Sequence, residues 1–327
     1  MKVLLVTGGA GFIGSNFIRY FMETNEDSVV VNYDKLTYAG NLENLRDVET
    51  LPGYYFVKGD ICDSVQVTKT LNEYNPDYIV NFAAESHVDR SIDGPLIFGQ
   101  TNLIGTLNLL ECVKNFWNKT DYTGKRFLQI STDEVYGSLE NTTDLFTENS
   151  HLLPNSPYSA SKAGADLLVR SFFRTYGLPV IITRCCNNYG PYQYKEKFIP
   201  TCVSMALKDQ PIPIYGTGTN IREWIHVLDH SRAIIKALFS GTLGEVYNIG
   251  SGEEVSNIDM AQMILNILGK SQDSIIYVND RPGHDNRYAL DSTRIKNELG
   301  WSSSCNLRDG LLKTVLWYKD NQSWWES

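Results

Sequence analysis

Residues 1–34 restrict what this chain can fold into more than any other stretch. Residues 1–6 are a short apolar run of leucine and β-branched side chains, read as a buried strand, and they enter Gly8-Gly9-Ala10-Gly11-Phe12-Ile13-Gly14, after which helical patterning continues to about residue 22. Glycines at 8, 11 and 14 let the backbone turn tightly, let a pyrophosphate sit against helix N–H groups and let the helix approach the sheet closely. A second apolar run, residues 29–33, ends in Asp34, twenty residues after Gly14. A carboxylate there accepts from ribose hydroxyls and repels a 2′-phosphate, so NAD is expected rather than NADP. A glycine turn used only for packing would not need that acid. Gly8, Gly11, Phe12, Ile13, Gly14, Asp34, Lys35 and Thr37 are the first group of cofactor candidates.

Apolar segments at 55–58, 78–82, 127–130 and 180–183 alternate with helical stretches. That alternation predicts an α/β fold, a doubly wound parallel sheet of the Rossmann kind. The strand ends carry polar or small residues. Asp60-Ile61 suits adenine, with a carboxylate for the amino group and an aliphatic wall for the ring, and Ala83-Ala84-Glu85-Ser86-His87, with Phe82 a further cofactor candidate before it, would line the nicotinamide side; taken singly, Asp60 reads equally as a turn residue and His87 as a structural histidine, and their shared edge favours the cofactor. A helix over about 99–116 carries Thr101 and Asn102, which either face solvent or close over the cofactor. After Arg184 the texture becomes loop-rich, so the expected division is a cofactor domain over 1–184, receiving elements from about 224–250, and a smaller α/β substrate domain over 185–327. Within the second part, 228–239 reads as a helix, 246–249 as a strand, and Ser256 with Asp259 as the capped start of a helix reaching 268. Trp317, Trp324 and Trp325 read as packing or subunit-contact residues.

The 327 residues, 42% hydrophobic and 20% charged, are enough for one large domain and a smaller one. A formal charge of −9 argues against general affinity for nucleic acid or anionic membranes and favours a small-molecule partner. No apolar run reaches the roughly eighteen residues of a membrane helix, and no cleavable hydrophobic leader is read, so a cytoplasmic protein is expected. Six cysteines (62, 112, 185, 186, 202 and 305) form no Cys-x-x-Cys pair, so no metal is expected and reduced, packed thiols are. The adjacent Cys185 and Cys186 are read the same way, with reactivity the lesser alternative.

Ser131-Thr132-Asp133-Glu134-Val135-Tyr136-Gly137 follows an apolar strand, where open α/β sheets place their ligands. Ser156-Pro157 supplies an N-cap and a first-turn proline for a helix running to about 176, which puts Tyr158 and Lys162 one turn apart on a common face. A free phenol has a pKa near ~10 and makes a poor base unless cations stabilise its anion. Lys162 and an oxidised nicotinamide are both positive. Together with Thr132, Asp133 and Glu134 these residues form a proton-transfer set. Two adjacent carboxyls repel, which leaves one acid and one base without saying which. Lys197, Arg222, Arg281, His284 and Arg287, set among Gly, Pro and Asn, form a candidate clamp for a diphosphate.

Gly8-x-x-Gly11-x-x-Gly14, Thr132 and Tyr158-x-x-x-Lys162 resemble the extended branch of the short-chain dehydrogenase/reductase family, which acts on nucleotide sugars and includes epimerases. Asp34-Lys-Leu-Thr-Tyr-Ala-Gly-Asn41, Ala83-Ala-Glu-Ser-His-Val-Asp-Arg-Ser91, the Asp133-Glu134 pair, Asn187-Asn-Tyr-Gly-Pro-Tyr-Gln193, Arg222-Glu-Trp224 and Arg281-Pro-Gly-His-Asp285 narrow the resemblance to the dTDP-glucose 4,6-dehydratases, along the whole chain. One departure is Lys195, where that family usually has proline. The resemblance implies NAD, a dTDP-glucose substrate, a homodimer and a hydro-lyase reaction. Tyr158, helped by Thr132 and Lys162, would take the 4-hydroxyl proton, Glu134 the C5 proton, and Asp133 would protonate the leaving 6-hydroxyl. It further implies that Ser86, Thr132, Asn187, Lys197, Phe198, Pro213, Tyr215, Arg222, Asn257, Arg281 and His284 hold the nucleotide sugar and that Asn188 touches NAD. The alternatives are a related UDP-, CDP- or GDP-sugar dehydratase or 4-epimerase and, more remotely, a non-catalytic NAD-sensing scaffold.

Overall fold

The computed structural model describes residues 2–118, 121–140 and 143–326. Its strands are β1 (Lys2–Thr7), β2 (Ser28–Asp34), β3 (Tyr54–Lys58), β4 (Tyr78–Asn81), β5 (Arg126–Thr132), β6 (Val180–Cys185), β7 (Asn187–Tyr189), β8 (Ile212–Tyr215), β9 (Ile221–His226), β10 (Val246–Ile249), β11 (Glu254–Ser256) and β12 (Ile275–Val278). Seven of them form one sheet in the order β10-β6-β5-β4-β1-β2-β3, parallel at every pairing. The expected doubly wound architecture is therefore present, and the crossover between β1 and β4 opens a crevice at the carboxyl ends of the strands.

The sheet is apolar on both faces because helices cover both. Successive strand residues divide between two cores, with Leu4, Val6, Val30, Val80 and Leu128 on one side and Leu5, Val31, Ile79 and Phe127 on the other. The helices Phe12–Thr24 and Val227–Ser240 pack together against the first face, and Ser64–Tyr74, Thr106–Trp117 and Pro157–Tyr176 against the second. A third core, built from Ile199, Val203, Ile214, Met260, Ile264, Leu311 and Val315, lies under a three-stranded sheet (β11-β9-β7) and a two-stranded one (β12-β8).

Element ends depart from the sequence reading where side chains gain partners. β5 runs on to Thr132 and β6 to Cys185 because the two continue to pair, Thr132 opposite Cys185. The expected helix over 99–116 opens as a π-helical segment, Gly99–Gly105, before turning α-helical at Thr106–Trp117. Inside that segment Asn102 is buried and faces neither solvent nor the crevice. Its side chain accepts from the Glu85 N–H at 2.8 Å and donates to the Glu85 carbonyl at 3.0 Å and to Ser161 Oγ at 2.8 Å, pinning the loop after β4. β10, from the second half of the chain, joins the edge of the large sheet beside β6. Among the described residues no helix is long and apolar enough to cross a membrane, and no cluster of metal-ligating side chains occurs.

Candidate active site

The carboxyl ends of the strands enclose a cavity of about 320 Å³. The glycine turn forms one end. Gly8 sits at φ +69°, and a Cβ there would lie 2.6 Å from the Ala83 backbone nitrogen; a Cβ on Gly14 would lie 2.4 Å from the Gly8 carbonyl oxygen. Only glycine lets β1, the following helix and the end of β4 come this close. Asp34, at the tip of β2, accepts from the Ala10 N–H at 2.9 Å and the Leu36 N–H at 2.8 Å. Lys35 meets Asp60 at 2.7 Å, and Asp60 also accepts from the Cys62 N–H at 2.9 Å. Although burial opposes it, these donors hold the Asp60 carboxyl below its ordinary pKa. Phe12, Ile13, Thr37, Ile61, Phe82, Ala83, Ala84, Glu85, Ser86, Thr101 and Asn188 complete this lining; His87, expected on the nicotinamide side, lies outside it and caps the Val88–Asp93 helix by accepting from the Arg90 N–H at 3.3 Å.

At the other end, Thr132, Asp133, Glu134, Tyr158 and Lys162 converge on the same space. Thr132 caps a short 3₁₀ turn, Asp133–Tyr136, by accepting from the Glu134 N–H at 3.2 Å, and its hydroxyl donates to Asp133 Oδ1 at 3.1 Å. The turn swings both acids out of the strand line. Ser156 and Ser159 cap the Pro157–Tyr176 helix reciprocally, and this fixes where Tyr158 and Lys162 stand. Lys162 donates to the Ile130 carbonyl at 2.6 Å, and burial lowers its pKa to about 8.

The two acids are both buried but have unlike neighbours. Burial raises the Asp133 carboxyl well above its ordinary range, and Glu134, Cys185 and Glu223 raise it further; its Oδ2 has no hydrogen-bond partner. Glu134 is raised by burial too, but Arg281, Arg222 and Lys197 pull it back. Burial and like charges therefore favour a proton on Asp133 more strongly than on Glu134, where three cations oppose the rise, a contrast the sequence could not supply. Tyr158 is pushed well above its ordinary pKa by burial and then by Glu134 and Asp133, against a hydrogen bond from Thr132. Lys162 gives one of its three ammonium donors to the Ile130 carbonyl, a tertiary contact that the sequence did not announce.

Of the candidate sugar-nucleotide residues, Ser86, Thr132, Asn187, Lys197 and Phe198 line the cavity. Lys197 Nζ donates to the Ser86 carbonyl at 2.6 Å. Arg222, Arg281, Tyr215, His284, Pro213 and Asn257 lie outside that lining. Arg281 meets Asp89 at 3.2 Å, Tyr215 donates to the same carboxylate at 3.0 Å, and the Tyr215 and His284 rings stand 6.3 Å apart. His284 in turn pairs with Asp280 at 2.6 Å. Arg222 lies over the Tyr288 ring at 4.4 Å and donates to the Asp285 carbonyl at 2.9 Å. Pro213 belongs to β8 with Tyr215, and Asn257 opens a helix with its N–H on the Asn220 carbonyl at 3.0 Å. At the departure noted above, Lys195 lies in a turn closed by Lys197 N–H to the Tyr194 carbonyl at 3.0 Å.

The sequence reading missed Cys185, Cys186 and His230 as lining residues. Asn188 donates to Cys185 Sγ at 3.2 Å and shares a 2.9 Å hydrogen bond with His230 Nδ1. Against burial, which raises it, Cys186, His230 and Asn188 lower the Cys185 thiol to about 5. The two cysteines could have been found, because they end a strand that points into the crevice; His230, on a distant helix, carried no local signal. Buried Glu223, beside the acids, was missed for the same reason.

A family model described as GDP-mannose 4,6 dehydratase matches residues 5–314. The dTDP-glucose 4,6-dehydratase of Neisseria meningitidis is 48% identical over 100% of this chain and 96% of its own length. The chain belongs to the dTDP-glucose 4,6-dehydratase family. The dTDP-glucose 4,6-dehydratase of Xanthomonas campestris pv. campestris (strain B100) is 51% identical over 99% of this chain and 95% of that one. Among solved structures, the dTDP-glucose 4,6-dehydratase of Streptomyces venezuelae with NAD and dTDP bound superposes with a TM-score of 0.94 at 49% identity, covering 99% of each chain. A UDP-glucose 4-epimerase from Thermotoga maritima shares the fold at a TM-score of 0.88 with 29% identity, covering 98% of this chain and all of that one. The dTDP-glucose 4,6-dehydratase family thus accounts for the chain from end to end, whereas the epimerases share its frame at much lower identity.

Proposed function

We propose that this chain is an NAD-dependent hydro-lyase that converts dTDP-glucose to dTDP-4-keto-6-deoxyglucose. The observation that carries the reading is the pair of buried acids at one cavity, Asp133 among acids and thiols and Glu134 facing three cations. The residues fit the cofactor. The Gly8 to Gly14 turn is a cradle that any Cβ at Gly8 or Gly14 would fill, the N-terminus of the Phe12–Thr24 helix opens beneath it, and Asp34 stands at the ribose position. Bound there, NAD would supply a hydride acceptor that later returns the hydride, leaving the cofactor unchanged.

The protein's own part is proton movement. Tyr158, with Thr132 at its oxygen, takes the 4-hydroxyl proton as C4 is oxidised. Burial and the two acids raise its pKa, and positive charge arriving beside it would lower it toward the value a base needs. Glu134 then removes the C5 proton, made acidic by the 4-keto group, and Asp133 delivers its proton to the departing 6-hydroxyl as water; as C6 regains a hydride Glu134 returns its proton to C5, and the proton taken up by Tyr158 makes good the one Asp133 lost. Lys197, Arg222 and Arg281 are the positive groups proposed for the diphosphate, with Ser86, Asn187, Phe198, Pro213, Tyr215, Asn257 and His284 around the sugar and base.

The same proposal divides the chain near residue 184 into a cofactor part and a nucleotide-sugar part, supported by the separate core under β9. It includes a homodimer. Leu96 is 87% exposed, and Ile97, Ile104, Leu107 and Leu167 add further exposed apolar surface on neighbouring helices that a second copy could cover. It also places the protein in the cytoplasm, where six free thiols are at home.

The test is incubation of the purified protein with dTDP-, UDP-, CDP- and GDP-glucose, followed by NMR. A 4-keto-6-deoxy sugar from dTDP-glucose is expected. Unchanged sugar, or inversion at C4, refutes the reading.

A further inference from the structure

Trp324 donates its indole N–H to Asn44 Oδ1 at 2.9 Å, across 280 residues of sequence. Asn44 is only 1% exposed, and its amide N–H goes to the Ala10 carbonyl at 2.9 Å. The Asn41 N–H reaches that same carbonyl at 3.0 Å, while the Ala10 N–H is held by Asp34 Oδ2 at 2.9 Å. Ala10, in the middle of the glycine turn, is therefore held at both its N–H and its carbonyl, and one of these grips is anchored by a tryptophan from the far end of the fold.

An asparagine amide carries its donor and acceptor on nearly identical arms, so packing alone does not choose which arm faces Ala10. An indole can only donate. The Ala10 carbonyl can only accept, so Trp324 and Ala10 select the same Asn44 orientation from opposite sides, oxygen toward the indole and NH₂ toward the carbonyl, and the indole locks it. The indole is held by Tyr192 at 5.7 Å, Trp317 at 5.2 Å and Tyr318 at 6.3 Å between ring centres. Arg19, on the helix that follows the turn, lies over Tyr192 at 4.5 Å and donates to the Asn44 carbonyl at 2.5 Å. The cluster also reaches the cavity by a second route. The Tyr318 hydroxyl donates to the Gln193 carbonyl, and Gln193 Nε2 donates to the Asn188 carbonyl at 2.9 Å.

We infer that Trp324 is a latch on the cofactor turn: by orienting the Asn44 amide it holds the Ala10 peptide in place and prolongs the stay of a bound dinucleotide. Trp324 and Asn44 are positioning residues, since neither lines the cavity. The inference rests on the NAD reading above and extends it to residues whose sequence signal was only aromatic bulk.

The test uses the full chain loaded with NADH and freed of excess ligand, with release followed by the loss of NADH fluorescence on dilution into NAD. Trp324→Phe keeps a ring in the cluster and removes the donor. Release should quicken by about threefold to tenfold, the value of one hydrogen bond. Asn44→Ala should quicken it at least as much, and Trp324→Phe should add nothing in the Asn44→Ala background. The thermal midpoint of dinucleotide-free Trp324→Phe should fall by no more than the few degrees that one lost hydrogen bond explains, whereas loss of a tryptophan needed for packing would lower it much further. Parental release from Trp324→Phe, full additivity in the double variant or a large fall in that midpoint overturns the latch. If the parent chain retains no NADH, the cofactor reading itself fails, and the latch with it.

Discussion

Arg184 and Asp166 form an ion pair in the interior, Nε to Oδ2 at 2.9 Å, with both side chains more than nine-tenths buried. The guanidinium also donates to the Tyr136 hydroxyl at 2.9 Å, and that hydroxyl donates to Asn248 on β10 at 2.7 Å. One chain of bonds thus joins the Tyr158 helix, β6, the turn that carries the acids and the edge strand. Removing one partner leaves the other charged and buried, so Asp166→Asn should cost about 3 kcal/mol of stability. Urea denaturation would read this directly, and a loss under about 1 kcal/mol would mean that the pair contributes little.

Tyr158→Phe should lower turnover at least ~10³-fold while leaving NAD retention unchanged, because the phenol oxygen is the group assigned to the 4-hydroxyl proton. The ring contact with Phe98, at 6.3 Å, survives the change. Product formation by NMR and NAD content after desalting are the two measurements, and undiminished turnover removes Tyr158 from the proposed reaction.

For the acid pair the two variants should fail differently. Glu134→Gln should slow exchange of the C5 proton with solvent deuterium by about 10²-fold or more, with substrate affinity changed far less. Asp133→Asn should still permit C4 oxidation and C5 exchange but not loss of water. Equal losses in exchange and affinity for Glu134→Gln would make it a binding residue instead.

Buried Glu223 gives the stability a pH signature. Burial raises its pKa from 4.5 to about 7, although the Gly252 and Leu290 N–H groups lower it. The folded chain therefore holds this proton more tightly than the unfolded one. Its favourable contribution is full below pH 4.5 and is lost as pH rises through about 7, a change of roughly 3 kcal/mol. Measured against Glu223→Gln, the parent chain should lose stability steadily over that window. A pH-independent difference between the two would show that Glu223 titrates normally.

If the exposed face around Leu96 and Leu167 joins two copies, a Leu96→Glu, Leu167→Glu double variant should sediment as a monomer at concentrations where the parent is a dimer. A parent that is itself monomeric disposes of the interface.

Much of the site was legible because its chemistry is local. The Gly8 to Gly14 turn, Asp34 at a strand tip and the one-turn spacing of Tyr158 and Lys162 follow from backbone geometry over a few residues. Ser156 announced its helix by capping chemistry, and β10 was placed at its observed bounds of 246–249. What remained hidden depends on residues distant in sequence. That Lys162 would bind the Ile130 carbonyl, that Glu134 would face Arg222 and Arg281 while Asp133 faced Cys185, and that Asn102 would pin Glu85 are facts of tertiary packing. The π-helical opening at Gly99–Gly105 has the hydrophobic spacing of an ordinary helix and left no local mark.

The place of β10 bears on how the chain can be made and divided. During synthesis β6 is finished about sixty residues before its outer neighbour exists, and until Val246–Ile249 arrives its edge is a bare row of peptide groups. A recombinant fragment cut at the apparent seam near residue 184 would keep that raw edge and shed Asn248, the far anchor of the buried Arg184 chain. Such a fragment should collect in inclusion bodies, and a working split of this protein must carry both strands on one piece.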